Sequence, residues 1–178
     1  MQKLVKAFTV LFALLPFAAA HAHGPSRQKV VETIEINAPA DKVWAVISNY
    51  KDFTWHPDIA KSEANDGMQV EKTKRRLTFK KGGVVTDKLM AYEPDRKYIS
   101  YMTVDVDLKM LPVSGYSSYF TVTPDGDKTK LEWKGAFYRG YVNNNPPPEL
   151  SDKAAVDAVT AFQRAGLEAL KAKIESGS

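Results

Sequence analysis

Three consecutive prolines near the C-terminal end of the chain, at positions 146–148, limit its fold more than any other feature. Proline donates no backbone hydrogen bond and holds φ near the polyproline value, so this run can continue neither a strand nor a helix. The asparagines just before it, at positions 143–145, favour a turn. A strand must therefore end before this point, and a helix must begin after it.

The stretch around these prolines, residues 137–150, is longer and more aromatic than a simple connection needs. Long ordered loops often serve in binding, and tyrosine and arginine are favoured at protein interfaces. We therefore predict a cavity rim or a partner-docking surface here, with a rigid linker as the alternative. The residues assigned to that role are Tyr138, Arg139, Tyr141, Asn144, Pro146, Pro147 and Pro148.

The N-terminal segment has the pattern of a secretory signal peptide. Lys3 and Lys6 precede an uncharged apolar run over residues 7–17, and small residues at Ala20 and Ala22 offer two cleavage sites. The run is shorter than the roughly 20 apolar residues that span a bilayer, so we expect no stable membrane anchor. The sequence predicts export to the periplasm.

Removal of residues 1–22 leaves one predicted domain, residues 23–178. The formal net charge of +4 falls by two when Lys3 and Lys6 leave, which gives little support to nucleic-acid binding. The chain has no cysteine, and this excludes disulfides, a thiolate nucleophile and c-type haem attachment.

The hydrophobic periodicity of this domain changes along the chain in a definite order. One strand comes first, two short helical segments follow, then a run of antiparallel strands, then one long helix that begins near Ser151, a good N-cap. The predicted segments are a strand at 30–36, a helical segment at 43–50, a helical or turn segment at 51–59, strands at 76–80, 84–92, 98–106, 116–123 and 129–138, and the final helix. A hairpin turn at 81–83 joins the strands at 76–80 and 84–92. The apolar stripe of the final helix consists of Val156, Val159, Phe162, Gly166, Leu170 and Ile174. A curved antiparallel sheet wrapped on that helix is the simplest layered arrangement, an α+β fold.

This order of elements, with Val43 and Trp44 in the first helix and Trp55, His56 and Pro57 after it, resembles the SRPBCC superfamily. The resemblance covers roughly residues 30–174. It implies a helix-grip domain of the START and Bet v 1 type, in a group often described as polyketide-cyclase-like.

Three longer motifs make the resemblance more specific. They are LPVSxYSS at 111–118, EWKGAFYRGY at 132–141 and NxPPPEL at 144–150. These motifs are similar to those of the MxaD family, periplasmic accessory proteins of bacterial methanol oxidation. The resemblance implies a role beside methanol dehydrogenase and its cytochrome c acceptor, with no catalytic residue to transfer.

Residues that could perform catalysis are sparse. His56 is the lone histidine of the predicted domain body, and its aromatic and proline neighbours indicate a satisfied, partly buried side chain. Ser117 and Ser118 lie in a strand pattern without a nucleophile elbow. Asp105 and Asp107 share a face that we interpret as solvated. We expect no catalytic site and no cofactor.

One metal-binding pattern depends on where the signal peptide is cleaved. Cleavage after Ala20 would leave His21, Ala22 and His23 at the N-terminus. A free amine, two backbone nitrogens and a third-position imidazole can chelate square-planar copper or nickel. Cleavage after Ala22 would remove this motif, and the alternative is an ordinary processed tail.

Aromatic and apolar side chains at alternating strand positions suggest the interior of the fold. The positions assigned to it are Tyr98, Met102, Tyr116, Phe120, Trp133 and Phe137. In a helix-grip fold they line a cavity between sheet and helix, or they fill it. Close packing is usual in proteins, so we favour a filled or narrow cavity.

Three functions remain open from the sequence. The leading hypothesis is a non-catalytic accessory protein of methanol oxidation, which binds the dehydrogenase, its cytochrome c acceptor or both. The alternative is a carrier of a small hydrophobic ligand in the helix-grip cavity. A cyclase or hydrolase type of enzyme is the third.

Overall fold

The structure is a computed structural model that describes residues 24–65 and 67–177. The predicted signal peptide and the residues His21 and His23 lie outside the described residues. Within them the chain forms one antiparallel sheet and two α-helices, which confirms the predicted α+β helix-grip class.

Seven strands make up the sheet, in the spatial order β1-β7-β6-β5-β4-β3-β2. Their bounds are β1 (Gln28–Ile36), β2 (Ile59–Ala64), β3 (Lys74–Phe79), β4 (Val84–Glu93), β5 (Tyr98–Val106), β6 (Val113–Asp125) and β7 (Lys128–Arg139). Gly82 and Gly83 join β3 to β4 with φ of 86° and 78°, a conformation that glycine adopts at no steric cost. This turn was expected from the sequence.

The helices are α1 (Ala40–Ile47) and α2 (Asp152–Glu175), with short 3₁₀ turns at Pro94–Arg96 and Pro148–Leu150. The Ser151 hydroxyl accepts a hydrogen bond from the backbone N–H of Ala154 at 3.2 Å, the N-cap that the sequence predicts.

The second short helix of the predicted fold does not form, and this part of the prediction was wrong. Residues 49–58 form successive turns, in which the N–H of His56 bonds to the Phe53 carbonyl and the N–H of Ile59 bonds to the His56 carbonyl. Pro57 supplies no N–H to continue a helix there. Strand β2 was not predicted either, because an edge strand with the sequence IAKSEA has only a weak period-two pattern.

Helix α2 crosses the concave face of the sheet, and one glycine allows the short distance between the helix and the sheet. A Cβ at Gly166 would lie 2.6 Å from an atom of His56 and 2.7 Å from an atom of Trp133. A larger residue would hold the helix away from the sheet. The buried side of α2 is continued by Val159, Phe162 and Leu170, which lie on the predicted apolar stripe.

The inward face of β5 differs from the prediction. Ile99 and Tyr101 point into the core, whereas Tyr98 and Met102 lie half-buried on the outer face of the sheet. Both phases of this strand are apolar, so its own sequence could not decide between them. The pairing with β6 decides, because Tyr101 lies opposite the inward-facing residue Ser118.

Candidate functional site

Aromatic rings fill the space between the sheet and helix α2. Trp133 is fully buried at their centre, with its ring centroid 4.5 Å from that of Phe120 and 5.6 Å from that of Phe162. Tyr116 and Phe137 are also buried and pack against each other. These four predicted interior positions, Tyr116, Phe120, Trp133 and Phe137, therefore face the core together, without Tyr98 and Met102.

The cavity that remains has a volume of about 10 Å³. Such a space holds one water molecule at most. Tyr116 is the one member of the predicted set that lines it, because Phe120, Trp133 and Phe137 occupy the neighbouring interior themselves. The interior is therefore filled, in agreement with the favoured interpretation of the sequence.

A buried ion pair lies beside this cavity. Arg75 and Asp87 are opposite each other on β3 and β4, each about 3% exposed, and the guanidinium Nη2 lies 2.9 Å from Oδ2 of Asp87. Thr103 donates a hydrogen bond to Oδ1 of the same carboxylate at 2.9 Å. The guanidinium also lies 4.2 Å from the ring centre of Tyr50 and 4.3 Å from that of Phe53. Its charge is thus held by a carboxylate and two ring faces.

This ion pair was not predicted from the sequence, although the sequence contains a signal for it. Arg75 alternates with the buried residues Leu77 and Phe79, and Asp87 lies between the buried residues Val85 and Leu89. A charged residue in the inward phase of each of two neighbouring strands predicts a buried cross-strand pair.

A second polar group of side chains crosses the core around Ser118. The Trp133 indole N–H donates to Ser118 Oγ at 2.8 Å and to the Tyr101 hydroxyl at 3.1 Å. Gln163 of helix α2 donates to the Tyr116 hydroxyl at 3.2 Å, which lies 3.3 Å from Ser118 Oγ. Burial raises the pKa of Tyr116 to about 12 and raises that of Tyr101 well above its usual value. Both tyrosines are therefore neutral hydrogen-bonding groups at physiological pH.

His56 is fully buried and both of its ring nitrogens have partners. Nε2 lies 2.9 Å from the Phe162 carbonyl, which can only accept, so Nε2 holds the proton. Nδ1 accepts the backbone N–H of Asp58 at 3.1 Å. Burial lowers the pKa of His56 to about 4, against a smaller opposite effect of the bond to Phe162. The imidazole is neutral and fixes the 49–58 turns to helix α2.

Arg139 requires a correction to the predicted docking surface. The residue is buried, and its guanidinium binds Asp152 at 2.9 Å and the backbone carbonyls of Tyr141 and Asn143 at 2.8 and 3.0 Å. All of these contacts lie within the chain. Because its donors are turned inward, Arg139 holds the loop in shape and does not present itself to a partner.

The other residues of the predicted docking set lie at the surface of the loop. Asn144 and Pro148 are exposed, and Tyr138, Tyr141, Pro146 and Pro147 are half-buried. Val142, which is not in the predicted set, has 59% of its surface exposed. A shallow cleft lies between Asn144, Pro146 and the first turn of α2.

An open groove runs along the other side of helix α2, against the connection between β5 and β6. It consists of two adjoining depressions of about 330 and 640 Å³, which share Lys109, Met110 and Ala158. Phe79, Leu111 and Phe162 line both this groove and the internal cavity. These three side chains therefore separate the groove from the core.

Neither a metal site nor a membrane-spanning helix is present in the described residues. No group of three or more histidine, aspartate or glutamate side chains within 24–65 and 67–177 is placed to hold a metal ion. In the same ranges no helix is long and apolar enough to cross a membrane.

The family of the chain follows from its match over residues 27–175 to the family described as polyketide cyclase / dehydrase and lipid transport. The chain belongs to this family. Its helix-grip fold and its place among SRPBCC-type proteins are thereby confirmed. No curated protein matches the chain.

Solved structures share the fold at low sequence identity. A protein from Nitrosospira multiformis is 25% identical with a TM-score of 0.67, covering 85% of this chain and 100% of its own. The ZhuI aromatase/cyclase from Streptomyces sp. R1128 is 20% identical with a TM-score of 0.66, covering 84% and 94%. Norcoclaurine synthase from Thalictrum flavum is 17% identical with a TM-score of 0.64, covering 100% and 99%.

Proposed function

We propose that this protein is a non-catalytic accessory protein of methanol oxidation, which acts in the periplasm by binding methanol dehydrogenase or its cytochrome c acceptor. The filled interior is the observation that supports this proposal. A cavity of about 10 Å³ leaves no room for an organic substrate beside the buried polar groups. The function then belongs to the surface of the molecule.

The choice of partner rests on the resemblance to the MxaD family. Its motifs at 111–118, 132–141 and 144–150 meet in one region of the fold, because β6 and β7 are paired and the last motif follows β7 directly. The N–H of Gly140 bonds to the Pro112 carbonyl at 2.7 Å and joins the first motif to the second. A region built from three adjoining segments forms one continuous surface for recognition.

Within this region the exposed loop is the proposed contact. Arg139 bonds to two loop carbonyls and to Asp152, so the loop is held in one conformation before binding. A preorganised loop loses less conformational entropy on association. Tyr141 and Val142 then present an aromatic and an aliphatic side chain to a partner.

The test replaces the exposed side chains and leaves the buried arginine in place. Tyr141→Ala combined with Val142→Asp should weaken binding to the dehydrogenase or the cytochrome about thirtyfold, the effect of losing about 2 kcal/mol. Calorimetry measures the affinity, and a melting curve checks the fold. Val70→Asp is the matched control, since Val70 is 44% exposed at a distant turn. Equal affinity of the double variant and the wild type would show that the loop is only a linker.

A second candidate function is the transport of a small hydrophobic ligand. Phe79, Leu111 and Phe162 line both the open groove and the internal cavity, so rotation of these side chains would join the two spaces. The similar fold of norcoclaurine synthase is known in complex with dopamine and hydroxybenzaldehyde. Native mass spectrometry of the purified protein tests this candidate, since a retained small molecule would favour transport and a bare mass would argue against it.

A further inference from the structure

The outer face of the sheet, opposite helix α2, has an uneven distribution of charge. Cross-strand pairing places one row of residues side by side across six strands. We call it the central row, and its members in spatial order are Lys74, Lys88, Met102, Ser117, Ala136 and Lys29. With strands about 4.8 Å apart, the row is about 24 Å long.

The central row contains three lysines and no acidic residue. Lys74 and Lys88 lie directly opposite each other on β3 and β4, a like-charge arrangement that destabilises a sheet. Among the described residues, Lys29, Lys74 and Lys88 have no ion-pair partner. The cost of this uncompensated charge calls for a role outside the folding of the chain.

Two other lysines on the same face have acidic partners. Lys61 pairs with Glu63 at 2.8 Å, and Lys128 pairs with Glu35 at 2.6 Å. These two charges are neutralised within the molecule, whereas the three lysines of the central row are not.

The middle of the row has the composition of a protein interface. Met102, Ser117 and Ala136 are half-buried, and the Arg27 guanidinium donates a hydrogen bond to Ser117 Oγ at 3.3 Å. Beside them the ring of Tyr119 has Lys134 Nζ 5.2 Å from its centroid. Methionine, tyrosine and arginine are enriched at interfaces, with charged residues around the rim.

We propose that this outer face, centred on the central row, binds an acidic surface of a protein partner. Charge complementarity selects the partner, because an acidic surface would supply the carboxylates that the three lysines lack. A protein fits better than a lipid membrane, since the row has no exposed large apolar side chain and the exposed Val31 beside Lys29 is too little to enter a bilayer. This surface is distinct from the loop at residues 138–148, and the proposal rests on the proposed function for its partner, methanol dehydrogenase or its cytochrome c.

The experiment reverses charge without harming the fold. Lys88→Glu places a carboxylate opposite Lys74, which relieves the like-charge contact, and Lys29 lies at the exposed edge strand β1. The double variant Lys29→Glu with Lys88→Glu should therefore melt no lower than the wild type. Lys81→Glu with Lys173→Glu is the control, because it makes the same change in net charge at two exposed positions outside the row.

Binding is measured by calorimetry with purified methanol dehydrogenase, its cytochrome c, and phosphatidylglycerol vesicles. We expect the row variant to lose at least about tenfold in affinity for one of the two proteins, and the control less than about threefold. Raising the salt from about 20 to about 300 mM should weaken wild-type binding much more than binding of the row variant.

Three other outcomes are possible, and each contradicts the docking face, the proposed function or both. If the row variant binds as tightly as the wild type, the docking face is wrong and the proposed function stands. Binding to the vesicles alone, lost in the row variant, would replace the protein partner by a membrane and would also contradict the proposed function. If the wild type binds none of the three probes, both proposals are wrong.

Discussion

Arg139 and Asp152 join the end of β7 to the first turn of α2, with Nη1 and Oδ2 2.9 Å apart. The loop with the three prolines lies between them in sequence, so this contact closes it at its base. Arg139 also bonds to two carbonyls inside the loop. One side chain thus fixes both the shape of the loop and the start of the helix.

We predict that Arg139→Ala lowers the free energy of unfolding by about 2 kcal/mol. The change leaves two loop carbonyls and a partly buried carboxylate without their donor, and Asp152 is 38% exposed, so water recovers part of the loss. Urea unfolding measures the effect. Arg164→Ala is the control, since its pair with Glu32 lies at the surface and should contribute much less. Similar losses in the two variants would show that Arg139 stabilises the protein no more than a surface ion pair does.

The buried pair of Arg75 and Asp87 gives a second prediction. Asp87→Asn leaves a guanidinium charge in the core without its carboxylate, which should cost about 3 to 5 kcal/mol. The double variant Arg75→Met with Asp87→Leu removes both charges and should recover most of that loss. Chemical unfolding of the single and double variants measures the difference. A double variant as unstable as Asp87→Asn would show that the pair itself stabilises the fold.

The sequence predicted most of the fold because the decisive signals are local. The glycine turn at 82–83, the Ser151 cap and the apolar stripe of α2 need only neighbouring residues to be recognised. The face of β5 and the existence of β2 depend on which strands pair, and this information is distant in sequence.

The candidate site was less predictable for a related reason. Tyrosine and arginine after a strand are typical of an interface, and the loop sequence does not show that Arg139 turns inward to bind Asp152. The same limit applies to the central row, because Lys74 and Lys88 become neighbours only through the register of β3 and β4.

Close packing of helix α2 predicts the effect of a small change at Gly166. Alanine is the better helix former by about 1 kcal/mol, yet its Cβ would lie within 2.7 Å of both His56 and Trp133. We expect Gly166→Ala to lower the free energy of unfolding by about 2 kcal/mol through overpacking. Thermal unfolding measures this value. An unchanged or raised melting temperature would mean that the two rings move aside freely.

Export is expected from the N-terminal sequence and belongs to the proposed periplasmic role. Expressed with its complete N-terminus in a bacterial host, the protein should be recovered from the periplasm and should begin at His21 or His23. N-terminal sequencing identifies the cleavage site. A product that retains Met1 in the cytoplasm would contradict both export and the proposed location.

The buried His56 makes stability depend on pH in a defined direction. Its pKa is about 4 in the folded protein, against 6.5 as the ordinary value. Between these values the unfolded chain binds the proton and the folded protein does not, so the free energy of unfolding rises with pH across this window. The full effect is about 3 kcal/mol, present above pH 6.5, lost as the pH falls towards 4, and constant below it.

Urea unfolding at several pH values from about 4 to about 7 measures this slope. His56→Gln should remove most of it, because glutamine does not titrate, and should leave partner binding intact because His56 is fully enclosed. Carboxylates titrate at the lower end of the same range, so the difference between wild type and variant isolates the histidine. Equal slopes in the two proteins would show that His56 is accessible to protons in the folded state. A folded His56→Gln variant that no longer binds its partner would instead give this residue a functional role.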